Sequence, residues 1–161
     1  MSTTARTPPD DHNWRSTLAK ATARKRLAET DFLTTVAAIT ERVPQTQIAA
    51  ALRTSQANIS RWAARGREHM QRRLGGRLGA DPYEIAQRYA LGEIPRDAMI
   101  AALISWPYEE PPELAAGPLG PWEDGVVPLP EGSFERTVGR AFDDGLLDEA
   151  AYETVLRALP D

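Results

Sequence analysis

Residues 56–61 bring together Gln56, Asn58, Ser60 and Arg61, side chains whose hydrogen-bonding capacities suit the edges of base pairs, with Ala57 as a small residue in the same base-reading set. A carboxamide such as that of Gln56 donates and accepts at once, and so matches the two adenine groups exposed in a major groove. A guanidinium such as that of Arg61 addresses guanine or a phosphate. Asn58 and Ser60 are smaller candidates for the same task. Flanking them are Gln45, Thr46, Arg53, Ser55 and Arg65, residue types that hold phosphate oxygens and fix register without reading sequence. No comparable set exists for catalysis. His12 and His69 stand in separate polar segments, cysteine is absent, and there is no glycine-rich phosphate loop, so a metal site or an assisted nucleophile lacks companions. Asp143-Asp144 adjoins a turn and reads as a helix cap rather than an acid/base pair. Neither an enzyme nor a cofactor is expected.

The elements that must position these residues are two short helices joined by a tight turn, within residues 44–66. Ile48, Ala49, Leu52, Ile59 and Trp62 supply apolar contacts, with small Ala49 where two steeply crossed helices come close. The first helix is expected over residues 45–52 and the turn at Arg53-Thr54. Ser55 is expected to cap a second helix over residues 56–65, and Trp62 to lie in the core.

On Gln45, Ile48, Ala49, Leu52, Ser55, Gln56, Ile59 and Trp62, the segment resembles the helix-turn-helix of lambda-repressor-like bacterial regulators. The resemblance covers about 25 residues. It implies that residues 56–65 form a recognition helix, and that Gln45 contacts a phosphate while bracing Gln56. The chain departs from the pattern in having Arg53 where glycine is usual and Thr54 where an apolar residue follows. A left-handed turn at a non-glycine residue costs about 1 kcal/mol.

Charge divides the chain. Residues 1–80 hold 14 Lys and Arg against 6 Asp and Glu, a surplus of eight positive charges; residues 81–161 hold 5 against 17, a surplus of twelve negative charges. A basic half attracts a phosphate backbone, whereas the acidic half is repelled by one and must do something else. We place a domain boundary at residues 75–81, where Gly75, Gly76 and Gly79 weaken a basic helix (residues 67–78) and suggest a hinge, and Asp81-Pro82 opens a new element. The expected organisation is a flexible arm (1–12), a DNA-binding domain (13–78) and an acidic interaction domain (81–161).

Residues 13–42 lack Gly and Pro and read as one long helix, or two interrupted near Thr30-Asp31. Leu27, Phe32, Leu33, Val36, Ile39 and Val43 should pack on the helix pair. Arg24-Lys25-Arg26 is either a phosphate contact or a solvated face. The acidic half contains an internal repeat, residues 90–99 aligning with 143–152. In each copy an apolar helix ends at a glycine, Ile94 or Leu147 points inward, and a second helix begins at a proline or an aspartate. These two helical hairpins resemble the small two-helix modules of the short C-terminal domain type, a resemblance that implies an interaction module.

Between the hairpins, residues 107–130 hold seven of the thirteen prolines and form an extended strap. Trp106, Tyr108 and Trp122 either pin that strap to the hairpins or anchor a partner in an acidic surround.

The expectation is an all-α protein: a helix-turn-helix domain with a long N-terminal helix, plus a small helical-hairpin domain with a proline-rich strap. Its partners would be double-stranded DNA, a second copy of itself through the first helix and, by analogy with the layout of antitoxins, a basic protein. The alternative is a protein-interaction adaptor of a mobile-element or assembly complex, with incidental DNA contact. Absence of cysteine fits a reducing cytoplasm. No apolar run of about 18 residues and no apolar leader occur, so neither export nor membrane insertion is expected.

Overall fold

The computed structural model describes residues 11–110 and 128–160. All regular structure among them is helical, and none of these helices is long and apolar enough to cross a membrane. Helix α1 spans Asp11–Thr40 without a break. Of the two readings, one rod or two helices interrupted near Thr30-Asp31, the structure has the rod; the hydroxyls of Thr34 and Thr35 donate back to the Asp31 carbonyl at 3.0 and 2.7 Å.

Helices α2 (Gln45–Leu52) and α3 (Gln56–Arg72) follow. Ile48, Ala49, Ile59 and Ala63 bury against Val36 of α1 as one apolar cluster, with Ile39, Val43 and Trp62 at its edge. Trp62 is half-buried and meets Phe32 edge to face at 5.5 Å between centroids. Leu52, anticipated as a core contact, remains 43% exposed.

Gly66 does not end the helix that begins at Gln56. α3 passes through it to Arg72, so residues 67–72 of the separate helix expected over 67–78 continue α3, and residues 73–78 are not helical. A Cβ at Gly66 would lie 2.1 Å from the Leu33 carbonyl oxygen. The glycine is there because α3 crosses α1 backbone to backbone at this point.

The second apolar cluster is built by α4 (Pro82–Ala90), α5 (Arg96–Ile104), a π-helical turn (Glu135–Gly139) running into the short α6 (Arg140–Asp143), and α7 (Glu149–Ala158). The repeat is visible as duplicated turns. Gly92 (φ +77°) donates to Tyr89 O at 2.9 Å and Glu93 to Arg88 O at 2.9 Å; Gly145 (φ +74°) donates to Phe142 O at 3.0 Å and Leu146 to Ala141 O at 2.9 Å. Each is a left-handed glycine closing a helix C-terminus. Both hairpins contribute to one core, in which Ile85, Met99, Leu103, Val138 and Val155 are fully buried. Arg96 at the start of α5 pairs at 2.6 Å with Asp148, the residue that caps α7.

Helix α1 belongs to both clusters. Its N-terminal portion, polar in sequence, nevertheless buries Ala23 and Leu27, places Ala19 against the second core, and lets Ser16 donate to Gly145 O at 3.3 Å. Charged side chains also tie the halves. Arg88 of α4, 6% exposed, reaches Glu84, Glu93 and, on α1, Asp31 at 2.8, 2.8 and 3.2 Å. His69 of α3 brings Nε2 to 3.4 Å from Glu84 Oε1, off the line of a hydrogen bond. These contacts run across residues 75–81, where the charge changes sign along the chain.

Candidate nucleic-acid interface

The turn between α2 and α3 is fixed by backbone geometry. Arg53 takes left-handed angles (φ 53°, ψ 47°), the only described non-glycine residue with positive φ. Its amide donates to Ala50 O at 3.3 Å and that of Thr54 to Ala49 O at 3.0 Å, the paired bonds that close a helix with a left-handed residue. One step on, the Ser55 hydroxyl accepts from the Asn58 amide at 3.2 Å and caps α3. Arg53 and Ser55 thus perform the backbone roles their positions require. Both side chains remain exposed.

Burial of Ile48, Ala49, Ile59 and Ala63 leaves the opposite face of α3 to solvent. Gln56, Ala57, Ser60 and Arg61 are exposed there, together with Thr46 on α2 and Arg65 one turn further along α3. Asn58 differs. It is half-buried, donates through its side-chain amide to Thr54 Oγ1 at 2.8 Å, and accepts from the Arg61 guanidinium through Oδ1. Its hydrogen-bonding groups are engaged within the protein, where they orient Arg61 from the turn. Gln45 is half-buried and Gln56 exposed; the turn's side-chain hydrogen bonds join Thr54, Ser55, Asn58 and Arg61 without them. Thr54 was not singled out for any role, although a hydroxyl in a place usually apolar is the signal that something there needs a hydrogen bond.

Arg65 lies 3.8 Å from Glu29 of α1, with both side chains about three-fifths exposed. An exposed pair at that distance is screened by solvent and contributes little, so the guanidinium stays available to an anion. Among the described residues no group of His, Asp or Glu has the arrangement of a metal site.

Of the candidate partner anchors, Tyr108 is taken up by its own fold. Its hydroxyl donates to Leu103 O at 2.6 Å and its ring meets Phe134 edge to face at 5.3 Å; burial pushes its pKa upward. Trp106 is half-buried, with the Arg77 guanidinium 4.5 Å above its ring. Trp122 and most of the strap lie outside the described residues; the strap's two ends meet where Glu109 donates its amide to Gly132 O at 3.0 Å. Compared with known proteins, the chain matches no protein-family model, no curated protein and no solved structure.

Proposed function

We propose that the chain is a sequence-specific DNA-binding transcriptional regulator that inserts the first turns of α3 into the major groove. The observation that carries this reading is the α2–α3 pair. A left-handed Arg53 and a Ser55 cap hold α3 so that Ile59 and Ala63 are buried, while Gln56, Ala57, Ser60 and Arg61 face solvent as an exposed strip with polar groups at 56, 60 and 61. A recognition helix needs that division. Gln56 and Arg61 would read base edges, with Asn58 holding Arg61 in place. Gln45, Thr46, Arg53, Ser55 and Arg65 would hold phosphates.

One such unit spans few base pairs, so a two-fold dimer is the functional form. Exposed Trp14 and Leu18, one turn apart at the start of α1, support pairing through that helix. The acidic half suits a basic protein whose binding would alter repression, in the manner of an antitoxin.

The test is an electrophoretic shift of the full chain on the DNA upstream of its own gene over a salt series. Gln56→Ala and Arg61→Ala should each reduce the preference for that DNA over unrelated duplex by about 1–3 kcal/mol. Unchanged preference in both variants refutes the reading. Binding to a protein partner that survives both substitutions would then favour an adaptor.

A further inference from the structure

A cleft of about 630 Å³ opens where α1, the end of α3, the start of α4 and the π-helical turn meet, and four arginines from separate elements line it: Arg26, Arg72, Arg136 and Arg140. The volume is that of a small-molecule site. Tyr83 and Trp106 form part of its wall. Two of its three carboxylates are engaged by backbone amides. Asp81 accepts from the Glu84 amide at 2.7 Å as the cap of α4, and Glu109 Oε2 accepts from the Gly132 amide at 3.4 Å. Glu131 is exposed at the rim.

The cations are less committed. Arg72 holds Glu68 in an exposed pair at 2.8 Å, and Arg140 lies 4.6 Å above the Tyr83 ring and 3.6 Å from Asp144. Among the described residues no carboxylate pairs with Arg26 or Arg136; the Arg136 guanidinium donates to the Leu129 carbonyl, at 3.1 Å. Carboxylates bound to backbone amides, beside the Arg26 and Arg136 guanidiniums that have no carboxylate partner among the described residues, make a concave site that favours anions.

We propose that this cleft binds a small phosphorylated ligand, with Arg26 and Arg136 as its principal phosphate contacts. The ligand would bridge the basic half, through Arg26 and Arg72, and the acidic half, through Arg136 and Arg140. The site goes beyond the DNA-binding reading and does not depend on it, and its assay contains no DNA.

The experiment is isothermal titration of the full chain with inorganic pyrophosphate, at low and at physiological salt, with thermal unfolding followed in parallel. Saturable one-to-one binding is expected, accompanied by a rise in Tm. Arg26→Gln and Arg136→Gln should each weaken it at least about tenfold, the loss of one charge-assisted hydrogen bond, and Arg136→Lys should restore part. Both arginines are exposed, so each variant's unfolding curve without ligand should match that of the parent. No saturable heat and no Tm shift in the parent protein overturns the proposal. Binding that survives Arg26→Gln and Arg136→Gln but is lost in Arg61→Gln overturns it as well, because the anion would then sit on the exposed strip of α3.

Discussion

Arg53 is held in a conformation that costs an L-residue about 1–2 kcal/mol, at a place where glycine would relieve the strain. Retaining arginine there is consistent with a phosphate contact. Arg53→Gly should therefore raise stability in urea unfolding by about 1 kcal/mol while lowering the salt slope of the proposed DNA binding by about one; a stabilised variant with an unchanged slope would remove Arg53 from the proposed phosphate set. A second residue shows how charge and capping combine. Arg96 beside Asp148, together with the α7 amides, holds that carboxyl below the usual carboxylate range. A folded-state pKa depressed in this way contributes stability above the unfolded pKa and loses it as pH falls through the folded one. Asp148→Asn keeps a capping side chain but removes the charge. It should unfold more easily than the parent at neutral pH, and the difference measured by denaturant titration should shrink as pH falls through the carboxylate range. At this scale the sequence was informative where a role is local: the cap at Ser55 and the turn at Arg53 follow from neighbours one to three residues away. Asn58 was less legible, because its choice between a base edge and its neighbours Thr54 and Arg61 depends on side-chain rotamers.

The identity of an element's residues does not always reveal where it ends. Gly66 carries one letter with two uses, a helix stop or a close helix crossing, and only the proximity of Leu33 selects the second. Gly66→Ala tests this with opposing expectations. Intrinsic helix propensity alone favours alanine by up to about 1 kcal/mol. Forcing a methyl against the α1 backbone should instead destabilise by about 1–3 kcal/mol, so the sign of the change in chemical denaturation decides between the two roles. The duplicated hairpins were legible because the left-handed glycines at 92 and 145 leave a strong local signal. The burial of α1's polar first half was not, since Ala19 and Ala23 are too small to mark an apolar face among charges. Leu52 and Leu156, apolar yet 43% and 46% exposed, fit the helical period but fall at the edge of what neighbouring helices cover.

Across the molecule, the element joining its oppositely charged halves is the buried network at Arg88. Pattern reading missed it because Asp31 and Arg88 are 57 residues apart and a lone arginine in an acidic stretch reads as surface. Arg88→Met leaves Glu84, itself 5% exposed, without its nearest cation. The expected loss is about 3–5 kcal/mol in urea unfolding, the cost of stranding a buried charge; a loss below about 1 kcal/mol would mean that Glu84 escapes to water. The long first helix has a further effect. Because one unbroken rod is packed into both cores, it fixes the angular phase of one half against the other, and each residue of an α-helix turns the chain by about 100°. Insertion or deletion of a single residue between Leu27 and Leu33 would rotate the surfaces that meet α3 and α4 out of register with each other. The same change at Gly75 or Gly76, where an added Cβ meets nothing within 4 Å, would alter only loop length. Length variation in this protein is thus tolerated by position: α1 admits substitutions but not changes of frame along its axis.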